Sequence, residues 1–142
     1  MRKTVLTLSI VGVSLSILAS CAEQFGRSEE MPTRSDGAAF FAQNCSACHG
    51  NDGQGNGPEA GSLASQPINL TTLSATNNGE FPAARALSYI YGDPENGHLA
   101  RVMPQFGGAM ADDLVPVEID GVLTPTPREL ASLLVYLESI QQ

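Results

Sequence analysis

Apolar and polar positions divide the 142-residue chain into segments of different period. A nearly unbroken apolar run from Val5 to Leu18 follows the positive start Met1-Arg2-Lys3. From Ala22 to Ser35 the residues are mostly polar, include Gly26 and Pro32, and sustain no apolar period, which is the pattern of a tether. A helix is predicted from an N-cap at Asp36 through Asn44, with Phe41 and Cys45 four apart on one face. Gly37, one turn before Phe41, offers a place for another helix to approach closely. Gly50 to Gly61 holds five glycines and a proline and reads as a loop. Pro82 to Tyr91 predicts a short helix with Leu87, Ile90 and Tyr91 as its apolar face, stopped by Gly92, after which Asp93-Pro94 turns the chain. Alternation in Val117 to Leu123 around Asp120-Gly121 predicts a small hairpin. Thr126-Pro127-Arg128-Glu129 has the form of a capping box with proline at the first helical position. Leu130, Leu133, Leu134, Leu137 and Ile140 follow as a stripe of helical period, flanked by Tyr136. The periodic part of the chain is therefore mainly helical, joined by long loops.

The first segment reads as an export signal over residues 1–20. Its start is positive, its apolar stretch is shorter than the roughly 20 residues that span a bilayer, and it ends in Leu18-Ala19-Ser20-Cys21. Those four residues resemble the lipobox of bacterial lipoproteins, in which the cysteine is lipidated and becomes the first mature residue. On this reading residues 21–35 are a flexible tether and residues 36–142 one domain. Three cysteines are an odd number for an exported chain. Lipid on Cys21 accounts for one, and no structural disulfide is needed if the other two are otherwise bound. Without residues 1–20 the chain has five arginines, no lysine and fifteen acidic residues. So acidic a surface repels phosphate backbones and excludes nucleic-acid binding. It suits partners that present a basic docking surface.

Cys45-Ser46-Ala47-Cys48-His49 carries the chemistry. Cys-x-x-Cys-His is the attachment sequence of a c-type haem. Each thiol can form a thioether with one vinyl group of the porphyrin, and the histidine then binds iron from below. A thioredoxin-like pair would need a βαβ context, which is not present. A zinc site would need four nitrogen or sulfur ligands, and outside the motif only His98 is left to complete the set, which makes it the lesser reading. A phosphate cradle is not supported by the glycine-rich loop, since no Gly-Lys-Ser/Thr follows it. A second axial ligand for iron can come from Met103, His98 or Met110, or the site can stay open. Met103 leads, because Pro104 biases it toward extended backbone and Gly107-Gly108 allow close approach to a porphyrin. A thioether there would favour reduced iron relative to a second histidine.

Gly37-x-x-x-Phe41-x-x-x-Cys45-x-x-Cys48-His49-Gly50, Asp52-Gly53-x-Gly55-x-Gly57-Pro58, Met103-Pro104-Gln105-Phe106-Gly107 and Leu133-x-x-Tyr136-Leu137 together resemble the small single-haem cytochromes c. The resemblance covers about residues 36–142. It implies an all-α fold of three or more helices wrapped around one covalently bound haem c, and a crossing of the first and last helices at a glycine–aromatic contact. It also implies that the carbonyl of Pro58 orients His49 by accepting its free N–H. Two departures stand out: residues 109–125 are longer than the family's usual link to the last helix, and tryptophan is absent. The function expected is single-electron transfer between a redox donor and acceptor without transformation of a substrate, hence not an enzyme. The expected place is the periplasm, anchored by lipid on Cys21, at the outer membrane's inner leaflet rather than the inner membrane. The rival expectations are a fixed subunit of a larger membrane oxidoreductase, and a haem enzyme or gas sensor with open iron.

Overall fold

A computed structural model describes residues 30–92 and 103–142 of the chain. The expected signal segment, Cys21, most of the expected tether and His98 lie outside the described residues. Among the described residues four helices, α1 (Arg34–Asn44), α2 (Ser46–His49), α3 (Ala83–Tyr91) and α4 (Arg128–Ser139), are joined by loops carrying short 3-10 turns at Ala60–Ser62, Leu70–Thr72 and Gly107–Ala109. One antiparallel hairpin, β1 (Leu114–Ile119) with β2 (Val122–Pro127), precedes α4.

Helix α1 starts earlier than its sequence suggests. Its N-cap is Thr33, in extended backbone, and Asp36 is the third helical residue. The Thr33 hydroxyl accepts from the Asp36 amide at 3.3 Å while the Asp36 carboxylate accepts from the Thr33 amide at 2.8 Å. Asp36 thus caps from inside the first turn, and this reciprocal box satisfies two donors where Asp36 as N-cap would satisfy one.

Packing of α1 on α4 forms the centre of the core. Phe41, Leu130, Leu133 and Leu137 are each no more than 3 % exposed, and Ile90 of α3 closes the cluster. The crossing occurs at Gly37, where a Cβ would collide with the Ser132 carbonyl and lie 2.8 Å from Tyr136 Cβ. The Tyr136 ring meets Phe41 at 5.2 Å between centroids. The glycine–aromatic crossing implied by the resemblance is therefore present.

The hairpin is longer than the alternation from 117 to 123 suggests. Its two-residue turn, Asp120-Gly121, has φ of 52° and 79°, the left-handed pair that a type I′ turn requires. Ile119 pairs with Val122 across it, and the ladder continues through Pro116↔Pro125 to Leu114↔Pro127. Counting outward from the turn, hydrogen-bonded and non-hydrogen-bonded pairs alternate. Pro116 and Pro125 fall on a non-hydrogen-bonded pair, where the nitrogen points away from the partner strand. Both free edges therefore lack a donor at their middle, which opposes pairing with a further strand.

The ladder also changes how α4 begins. Thr126 lies in β2, fully buried, and its hydroxyl donates to Thr124 O at 2.9 Å. Pro127 occupies the N-cap and makes no side-chain capping bond, so the predicted Thr126–Glu129 capping box does not form. Strand pairing has claimed Thr126. The Arg128 amide instead donates to Asp113 O at 2.9 Å, and its side chain reaches the Asp113 carboxylate at 2.7 Å.

Candidate cofactor site

Helix α2 ends on His49, and the loop that follows holds it there. Amides of Gly55, Gly57 and Glu59 donate to the carbonyls of His49, Cys48 and Ala47 at 2.8, 3.1 and 2.9 Å. These are carbonyls that a helix end leaves without partners. The glycine-rich stretch satisfies them by curling back beneath the motif. Leu70 N–H closes the loop onto Gly53 O at 2.8 Å, which brings the segment through Ile68 and Leu70 to the same place. Gln141, at the end of the chain, pins the next turn: it donates to Leu70 O at 2.8 Å and accepts from Ser74 N–H at 2.9 Å.

An apolar cleft of about 770 Å³, counted out through its open mouth, lies among these elements. Phe41, Leu133 and Leu137 form its floor, Ile68, Leu70 and Leu73 one wall, and Ala86, Tyr89 and Ile90 of α3 another. His49 and Met103, far apart in sequence, both line it. Met110 packs against the hydrophobic core but is not among the lining residues.

Burial lowers the His49 pKa, with the backbone of Ile68 opposing the shift. The ring is thus biased toward the neutral form in which imidazole binds metals. Its Nδ1 is buried without a hydrogen-bond partner. The Pro58 contact expected for His49 is accordingly not made. Its neighbours' amides, those of Gly57 and Glu59, are drawn inward onto α2, and this leaves Pro58 exposed on the outside of the loop.

Cys45 and Cys48 are free thiols. Burial, and then the neighbouring Cys48, push the Cys45 thiol up to about 11. A redox-active cysteine requires the reverse, a pKa lowered toward neutrality. Among the described residues no group of three or more His, Cys, Asp or Glu could hold a metal ion. The raised Cys45 thiol disfavours the disulfide-exchange reading. The donor set does fit an iron porphyrin: apolar walls, an imidazole biased neutral with an unsatisfied nitrogen, a thioether, and two free thiols one and four residues before the imidazole.

The sequence reading missed Arg85, which lines the otherwise apolar cleft. A signal was available, because Arg85, Ala86, Tyr89 and Ile90 share one face of a helix at i, i+1, i+4 and i+5. No comparable signal marks Ile68 or Leu70, which come from a loop.

No curated protein and no solved structure gives a significant match to the chain. A family model described as cytochrome c matches residues 35–141. With that match covering most of the sequence, the chain belongs to the cytochrome c family.

Proposed function

We propose that this protein is a periplasmic, lipid-anchored carrier of single electrons, with one haem c held by thioethers to Cys45 and Cys48. His49 and Met103 would hold its iron. Members of the family bind haem c covalently and generally serve as electron carriers. The observation that carries the reading is the presence of His49 and Met103 on the walls of one apolar cleft. When bound, haem supplies a metal that cycles between ferrous and ferric states. The chain's own part is to hold a neutral imidazole and a thioether, and to exclude water with Phe41, Leu133 and Leu137. With an imidazole and a thioether both available to hold the iron, no position would be left on it for a substrate, which favours carriage over catalysis. Anchoring falls to Cys21, and the acidic surface suits donors and acceptors with basic docking faces.

The test is spectroscopic. The oxidised protein should show a near-infrared sulfur-to-iron band that Met103→Ala abolishes, and the ferrous protein should bind carbon monoxide slowly. Rapid carbon monoxide binding by the unmutated protein would overturn the carrier reading. Mass spectrometry of the mature N-terminus checks the anchor, since an unmodified Cys21 is incompatible with it.

A further inference from the structure

Met103 reaches the cleft on a segment that must be held in register with the rest of the fold, and the contacts that hold it lie beyond the methionine. Phe106 N–H donates to Ile90 O at 3.1 Å, joining the segment to the last turn of α3. Phe106 also meets Phe40 of α1 edge-on, 5.7 Å between centroids. Two glycines flank this junction. Gly92 ends α3 at φ 95°, and a Cβ there would lie 2.6 Å from Gln105 Cδ. Gly107 is buried, and a Cβ there would enter the ring of Tyr91. Each glycine is thus a socket for a side chain beside the other: Tyr91 sits on Gly107, and Gln105 sits on Gly92. Because the sockets are crossed, sliding the segment by one residue would empty both.

We infer that Gly92 and Gly107, with Tyr91 and Gln105, form an interlocking clamp that sets the position of Met103 over the cleft. They are positioning residues for the sixth iron ligand and do not touch the iron. This rests on the ligation proposed above. The physical argument is steric. The ring of Tyr91 is a stiff plane, so a methyl group at position 107 must displace either the ring or the segment. The ring continues from α3, whose Ile90 is buried in the core. Either displacement breaks the crossed seating, and the segment carries Met103 four residues away.

The experiment compares holo wild type, Met103→Ala, Gly107→Ala and the double variant Tyr91→Ala/Gly107→Ala. Each is judged by far-ultraviolet circular dichroism for fold, by the near-infrared sulfur-to-iron band for ligation, and by carbon monoxide binding to the ferrous protein. Gly107→Ala should retain its helix content and covalent haem while the ratio of methionine-bound to methionine-free iron falls by about tenfold or more, the scale of an overpacking penalty. Carbon monoxide should then bind correspondingly faster. Removing the ring in the double variant should restore much of the band. A Gly107→Ala protein with an undiminished band, or one that merely melts earlier with ligation intact, overturns the clamp. If Gly107→Ala does not fold, Gln105→Ala, an exposed and smaller change, replaces it, and a band unchanged in that variant has the same force. Failure of the ligation reading is separately visible, because wild type itself would then lack the band.

Discussion

Replacing Gly37 with alanine tests the helix crossing on which the cleft is built. The added Cβ would collide with the Ser132 carbonyl and lie 2.6 Å from Ser132 C and 2.8 Å from Tyr136 Cβ. Ordinary contact begins near 3.4 Å, so the two helices must part by about 1 Å, and a backbone carbonyl cannot rotate away as a side chain can. Overpacking of this kind costs about 1–3 kcal/mol, and an unyielding backbone neighbour puts this site near the top of that range. Alanine recovers about 1 kcal/mol of helix propensity over glycine. The net destabilisation is about 2 kcal/mol. At about 4–8 °C per kcal/mol for a domain of this size, the melting temperature should fall by roughly 10 °C. The matched control is Gly61→Ala, where a Cβ meets nothing within 4 Å. That change should leave stability unaltered or raise it by about 0.4–1 kcal/mol through the unfolded state. Thermal unfolding of both holo variants beside wild type decides the matter. A Gly37→Ala protein that melts at or above wild type, or a Gly61→Ala protein that falls as far, refutes the reasoning.

Three further outcomes are expected. The double change Pro116→Val/Pro125→Val puts an outward amide on each edge of the hairpin, and should cause concentration-dependent self-association on size-exclusion chromatography; a strictly monomeric double variant would show that the prolines do not guard the edges. The Asp36 carboxyl is held below its usual 3.8 by the Thr33 side chain and then by the Thr33 amide. Its folded pKa lies below the unfolded one, so its stabilisation is present above the unfolded value and lost as pH falls through the folded value. Asp36→Asn should therefore flatten the acid limb of stability against pH in denaturant titrations, and an unchanged limb counts against the box. Gln141→Ala removes bonds of 2.8 and 2.7 Å to the Leu70 and Leu137 carbonyls and 2.9 Å from the Ser74 amide. It should cost about 1–3 kcal/mol and speed hydrogen exchange at Ser74, while equal exchange rates would show that the loop is held elsewhere.

Much of this protein was legible wherever the relevant interaction spans only a few residues. Cys45, Cys48 and His49 raise the haem expectation within one helical turn, Asp120-Gly121 marks a turn by the conformation it must adopt, and the leucine stripe from Leu130 marks a buried helix face. Where two local signals competed, the sequence misled. Thr126 is a good cap and also a good strand residue, and the ladder with Val115 won because it buries the side chain completely. Asp36 suits an N-cap or the third position of a capping box, and Thr33 beside it settled the choice.

By itself, then, the sequence determined the helical class and the family, because these follow from motif spacing and local period. Only the tertiary structure decided which methionine shares a cleft with His49, that Pro58 is exposed while the Ile68 backbone meets the His49 ring, that Arg85 lines the cleft, and that crossed glycine sockets hold the distal segment. Each depends on which surfaces meet after the chain has folded, and residues far apart in sequence carry no local mark of one another.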